Sequence, residues 1–234
     1  LHGKVLRSPL AHAKILRIDT SKAQRLLGVR AVVTAADTPR KMYGTFPDPA
    51  MRDQYPLAIE KVRYRVEEVA AVAAADEDIA EEAIRLIEVE YEELPAVFDP
   101  EEAMQEGAPQ LHDRAPRNLC HPVLLHFGDV EKGFRESDYV FEDRFTTQCV
   151  TASPLETTCT LAHWDPTGKL TLWRNFQGAY SPREELSQAF DIPQASIRVI
   201  RPYIGGGFGA KRESLAMDFC AALLSKKTGR PEGK

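Results

Sequence analysis

A chain of 234 residues with 43% hydrophobic and 28% charged side chains can bury one large core or two modest ones, which excludes wholesale disorder. The net charge of -5, with Lys and Arg scattered, leaves no basic footprint for nucleic acid and no electrostatic hold on a membrane surface. No apolar run approaches the roughly 18–20 residues of a bilayer span.

The four cysteines, Cys120, Cys149, Cys159 and Cys220, form no C-x-x-C pair, so they fit inert thiols in a reducing, cytoplasmic setting better than a disulfide framework. The first residue is Leu1, with no apolar signal-peptide core after it, and a chain processed or cut from something longer is expected.

In chain order, Val5–Ser8 and Ala13–Ile18 read as short strands. Asp19-Thr20-Ser21 offers cap chemistry for a helix over Lys22–Leu27 that stops at Gly28. Val29–Val33 resumes as strand, and the stretch from Asp37 to Gln54, with its prolines, is expected to be loop. Val69–Ala75 suits a buried strand. Asp76 caps a helix to about Leu86, and Ile87–Tyr91 alternates with period two like a half-buried strand.

Residues 104–127 carry four of the breakers, Gly107, Pro109, Pro116 and Pro122, and read as a surface linker. From Gly128 a second unit begins. Asp129 caps a short helix to Glu136, and Asp138–Val150 alternates like a long strand. Thr160–Trp164, an Asp165-Pro166-Thr167-Gly168 turn and Lys169–Arg174 form a hairpin pattern, with Trp164 and Trp173 as core or cross-strand partners. Ser181-Pro182-Arg183-Glu184 reads as a capping box opening a helix to about Phe190. Ser196–Arg201 is strand, and Glu213–Lys227 is a helix with an apolar face at Leu215, Phe219, Ala222 and Leu223, ending before Gly229.

Between that last strand and helix lies Gly205-Gly206-Gly207-Phe208-Gly209-Ala210-Lys211. Its glycines leave backbone N–H groups bare, and a helix N-terminus just beyond would add positive potential, so the loop suits a phosphate or an oxygen-rich cofactor. A P-loop is excluded, because Ala210 and Arg212 stand where glycine and Ser/Thr are required around the lysine. A dinucleotide fingerprint is formally met by Gly205, Gly207 and Ala210, but the second strand with its acidic end does not follow within the sequence. A tight structural turn also remains open. Phe208 is expected either to pack inward or to wall a pocket.

The loop resembles the G-G-G-F-G-(G/A)-K segment of the large, molybdopterin-binding subunits of xanthine dehydrogenase/aldehyde oxidase-type molybdenum hydroxylases. Asn175-Phe176-Gln177-Gly178 lies where that family carries a strand-end glutamine, and Pro154-Leu155-Glu156-Thr157-Thr158-Cys159 is similar to a further family segment. Gly3–Ala13, Gly28–Asp37 and Ile87–Val97 resemble the family's α/β hammerhead domain.

The resemblance implies an α+β chain forming the N-terminal part of such a subunit. It places a hammerhead domain over 1–103, the linker over 104–127 and an incomplete, mixed α/β molybdopterin-binding domain over 128–234. It further implies oxidation (in some relatives reduction) of an electron-poor carbon of an aldehyde, N-heterocycle or aromatic thioester at a molybdopterin centre. Iron–sulfur clusters, with FAD as a further candidate, would sit on partner domains or subunits.

By position, Gln177 would donate a hydrogen bond to an oxo ligand and Phe208 would wall the substrate side, making these the catalytic candidates. Gln177, Gly206, Gly207, Phe208 and Gly209 would meet the cofactor, and no residue of the chain is expected to ligate metal. Some purine-oxidising members place an acid where Arg212 stands, so xanthine fits less well and an anionic or CoA-linked substrate fits better; a solvated Arg212 is the plain alternative. Many members also have a glycine near Val66. The base glutamate falls in family segments beyond this sequence, so the chain is expected to be inactive alone. Glu156 and Glu213 do not match that base and are read as structural carboxylates or as supports behind the site.

Two other readings stay open. One is a nucleotide-binding dehydrogenase domain using Gly205–Ala210; the other is a non-catalytic interaction module. His112, Cys120, His121 and His126 match no zinc spacing, and the pairs Glu67-Glu68, Glu81-Glu82 and Glu92-Glu93 are expected on solvated faces.

Overall fold

The computed structural model describes residues 1–44 and 52–233. Part of the loop expected over Asp37–Gln54, residues 45–51, lies outside the described residues.

The fold is mixed α/β, built on two sheets. Strands β1 (His2–Arg7), β3 (Val29–Thr34) and β5 (Glu68–Ala74) pair antiparallel in the order β3-β5-β1. Here β5 is buried along nearly its whole length, as its Val/Ala run demands. A smaller sheet places β2 (Ala13–Asp19) between β4 (Lys61–Val62) and β6 (Glu88–Glu93). Helix α1 (Ser21–Arg25) and helix α2 (Glu77–Arg85) lie against the first three strands. Asp76 caps α2 by accepting the Ile79 N–H at 2.8 Å. A short helix α3 (Pro100–Ala103) follows, capped by Asp99.

The later strands join the same large sheet. β7 (Thr160–Trp164) and β8 (Leu170–Arg174) form the expected hairpin, and β9 (Ile197–Ile200) adds in parallel to β8. The two-residue strand β10 (Glu232–Gly233) bridges β1 and β7, so seven strands run β3-β5-β1-β10-β7-β8-β9. Helix α5 (Tyr180–Phe190) packs near β9, and helix α6 (Ala216–Thr228) lies across the sheet. One part of α6, Phe219 and Ala222, enters a core with Leu170, Leu172, Leu186 and Tyr43. Another, Cys220 and Leu224, enters a core with Val33, Leu57, Ala71 and Ala73. Nine of its thirteen residues are buried, which explains why its sequence looks only weakly two-faced.

Several expectations are corrected. Asp138–Val150 forms no strand; after α4 (Val130–Glu136) the backbone is irregular to Cys159. Phe141 and Phe145 stand 85% and 88% exposed. An alternating segment becomes a strand only when a neighbour takes up its N–H and C=O groups, and no described strand does so.

The capping box at Ser181 is absent. Helix α5 starts at Tyr180 with Ala179 as N-cap and no side-chain cap bond, Pro182 falls in the first turn, and Glu184 bonds Gln188 instead. The last helix starts at Ala216 rather than Glu213. Of the two readings for Trp164 and Trp173, the core one holds for Trp164, which packs on the cluster around Leu170 and Phe219, and the pairing one fails, because Trp164 faces Leu170 and Trp173 faces Leu161. Trp164 packs edge-on to Phe190 and donates Nε1–H to the Ala222 carbonyl at 2.8 Å.

Glu67 is also corrected, because it is only 7% exposed. Val66 before it has φ 72°, a left-handed conformation that is strained for a β-branched residue and natural for the glycine expected there. The bend turns the Glu67 carboxylate inward to accept the Arg63 N–H. Burial pushes that carboxyl from 4.5 up to about 7, against the pull of the Arg63 N–H.

Because the folded value lies above the unfolded one, this stabilising contribution is complete below about 4.5 and is lost as pH rises through about 7. Glu67→Gln keeps the acceptor and removes the charge. We expect it to raise stability at pH 8 by on the order of 2 kcal/mol and to flatten the dependence of the unfolding midpoint between pH 4.5 and 7. An unchanged pH profile would place Glu67 in contact with water.

Candidate cofactor-binding site

The site forms where the β7–β8 hairpin ends beside the glycine loop. Arg174, the last residue of β8, turns into the core and donates from Nη1 to Asp218 at 2.6 Å. Asn175 is buried and holds the neighbouring segment: its Oδ1 accepts the Cys159 N–H at 2.8 Å, and its Nδ2 donates to the Thr157 carbonyl at 2.7 Å. Phe176 is buried, under the Arg174 guanidinium at 5.5 Å. Past these three buried residues the chain leaves the strand, and Gln177 is exposed.

There Gln177 meets the loop twice. Its N–H donates to the Lys211 carbonyl at 2.8 Å, and its Oε1 accepts the Gly209 N–H at 3.0 Å. An N–H donor must face the amide oxygen, so the amide nitrogen is left as a donor with no acceptor among the described residues. Arg201 donates from Nη1 to the Gln177 carbonyl at 3.3 Å.

The loop's glycines have distinct reasons. Gly206 and Gly209 lie at φ 91° and 93°. Gly207 is buried, and a Cβ there would fall 2.8 Å from Gln177 Cδ. The loop's two ends are fastened by Glu156, whose Oε2 accepts both the Gly205 N–H at 2.8 Å and Lys211 Nζ at 2.7 Å. Lys211 chiefly, and Gly205 next, hold the Glu156 carboxyl below the usual range.

These contacts correct the picture of a wholly bare loop. The Gly205 and Gly209 N–H groups are taken, leaving those of Gly206, Gly207 and Phe208 without acceptors among the described residues. Phe208 neither packs inward nor, with described residues alone, walls a pocket: it is 77% exposed at φ 48°, its ring over Gly206. The helix end is not beside the glycines either, since Ala216 follows the buried residues Lys211 and Ser214. That separation takes from the dinucleotide reading the loop-to-helix junction on which a pyrophosphate would sit.

Sequence reasoning placed Gln177 and the glycines together but missed Arg201 and Asn175. It read Glu156 as structural without finding its partner. A lone acid and a lone lysine, each inside a family-like segment, were the available signal.

Three unpaired N–H groups and an amide nitrogen make a donor set for oxygen atoms. Among the described residues no group of three or more His, Cys, Asp or Glu could hold a metal ion. A set of hydrogen-bond donors of this kind fits the oxygen-rich periphery of a metal–pterin group.

The family model of the molybdopterin cofactor-binding domain matches residues 111–232, and that of the aldehyde oxidase and xanthine dehydrogenase a/b hammerhead domain matches residues 1–95. The chain belongs to the xanthine dehydrogenase/aldehyde oxidase family of molybdenum hydroxylase large subunits.

Relatives agree along the whole chain. It is 40% identical over 232 residues to a probable xanthine dehydrogenase subunit of Bacillus subtilis, covering 99% of this chain and 30% of that protein. It is equally 40% identical, over 245 residues, to a carbon monoxide dehydrogenase large chain of Afipia carboxidovorans, again 99% of this chain and 30% of that one. Among solved structures, reconstituted CO dehydrogenase from Oligotropha carboxidovorans matches with a TM-score of 0.88 at 39% identity, over 99% of this chain and 31% of that chain. The aldehyde oxidoreductase of Desulfovibrio gigas matches with a TM-score of 0.87 at 25% identity, over 100% and 26%. This chain thus spans about 30% of the length of these two relatives. Among the described residues no helix is long and apolar enough to cross a membrane.

Proposed function

We propose that this chain supplies one wall of the molybdenum–pterin pocket of an oxidoreductase whose remaining walls come from further polypeptide. The carrying observation is the Gln177 amide, pinned by Gly209 so that its nitrogen is offered outward beside the N–H groups of Gly206, Gly207 and Phe208. When bound, the cofactor would supply the oxidising chemistry at an electron-poor carbon. Gln177 Nε2 would orient it by donating to an oxo ligand, the unpaired loop N–H groups would hold its oxygens, and Phe208 would face the substrate.

The two family-model matches, over residues 1–95 and 111–232, support a hammerhead unit over 1–103, a connection over 104–127 and a cofactor unit over 128–234, with one sheet shared by strands of both units. Electrons would leave through an iron–sulfur domain or subunit, with a flavin subunit next in line, in a cytoplasmic complex. Arg212 is exposed beside the loop, with no acidic neighbour bonded to it among the described residues, which favours an anionic or CoA-linked member of the aldehyde, heterocycle or aromatic thioester classes over a purine.

Gln177→Ala in the full-length protein tests the reading. Turnover should fall about 10- to 100-fold while folding is kept, because an exposed side chain adds little to the core. Full activity in that variant would remove Gln177 from the site.

A further inference from the structure

Lys211 is 0% exposed, and its ammonium bonds the Glu156 carboxylate. The same oxygen takes the Gly205 N–H, the Lys211 carbonyl takes the Gln177 N–H, and Gln177 Oε1 takes the Gly209 N–H. These bonds form one continuous path: Gly205, Glu156, Lys211, Gln177, Gly209. It begins and ends on the glycine loop and passes through the residue whose amide nitrogen is offered outward.

Taking an ammonium out of water is expensive, and apolar side chains close loops at lower cost. The pair is also asymmetric: Lys211 is fully enclosed, whereas the Glu156 side chain is 37% exposed. Neither has a donor left for a ligand, since the ammonium is enclosed and Glu156 only accepts. We infer that the Glu156–Lys211 ion pair is a positioning device that sets the direction of the Gln177 amide. The inference rests on the cofactor reading of Gln177 above.

The test uses the full-length protein loaded with cofactor, comparing Lys211→Met, Glu156→Gln and Gln177→Ala singly and in pairs. Three readouts are taken: molybdenum content, the electron paramagnetic resonance spectrum of the metal, and kcat against KM. Lys211→Met should keep the metal, shift its spectrum in the direction seen for Gln177→Ala, and lower kcat about tenfold with KM little changed. Introduced into Gln177→Ala, it should lower kcat by less than about twofold more, because a residue acting through another has nothing left to act on. Glu156→Gln keeps the side-chain shape and an acceptor for the Gly205 N–H, and should follow the same pattern. It also carries the test should Lys211→Met fail to fold.

Losses that multiply in the paired variants, or an unaltered spectrum with wild-type kcat in both brace variants, would overturn the inference while a slow Gln177→Ala upholds the site. If Gln177→Ala is itself as fast as wild type, the site reading fails and the positioning role falls with it.

Discussion

Asp218→Ala is expected to destabilise the protein by about 3–5 kcal/mol, a large share of the stability of an ordinary domain. Arg174 and Asp218 both have side chains at 0% exposure, and their 2.6 Å bond joins the end of β8 to the first turn of α6. Asp218 also accepts the Leu215 N–H at 2.8 Å, satisfying one of the helix's unpaired amides. Burial pushes the Asp218 carboxyl up while Arg174 pulls it down. Removing it leaves a guanidinium, two of whose nitrogens already lack partners, without its counter-charge in the core. The check is the shift in chemical-denaturation midpoint. The pair Arg174→Met with Asp218→Leu should recover most of the loss, because apolar residues of similar size remove both desolvation costs together. A loss below about 1 kcal/mol for Asp218→Ala would mean that water reaches Arg174.

Gly207→Ala should do the opposite, harming activity far more than folding. The added methyl group would fall 2.8 Å from Gln177 Cδ and Oε1, and 2.9 Å from Cγ. Contacts that close force the glutamine aside and break its bond to Gly209. Since Gln177 is exposed, its displacement leaves the core intact. Turnover in the full-length protein should drop about 100-fold, as a displacement of about 1 Å suffices to do, with the melting temperature shifted by only a few degrees. Gly133→Ala is the control: a methyl group there meets nothing within 4 Å, so activity should be unaffected. Wild-type turnover in Gly207→Ala would show that the amide's placement is irrelevant.

Much of this was legible because local rules decided it. The β7–β8 hairpin follows from its Asp165–Gly168 turn, where Asp165 accepts the Thr167 and Lys169 N–H groups. The start of α2 follows from its Asp76 cap. Gln177 and the glycine loop were brought together by motif resemblance, and the backbone does join them. What stayed hidden depended on partners distant in sequence. Whether Asp138–Val150 becomes a strand depends on a neighbour, and periodicity does not reveal one. Glu67 looked like half of a solvated pair because nothing local announces that Val66 adopts a left-handed bend. Nor does anything local announce that Lys211 is enclosed, since the acid that takes its charge, Glu156, lies 55 positions away.

The narrow strand β10 also governs how the molecule is made. β1 is synthesised long before its neighbour, and one of its edges stays open until Glu232 and Gly233 arrive to lie between it and β7. A contact spanning 230 positions closes late, because the loop entropy is lost before the bonds form. Until then a nascent molecule carries a raw sheet margin, the kind of surface to which another unfinished copy can attach. The link between the two parts of the sheet is two residues wide, and it joins His2 to Gly233.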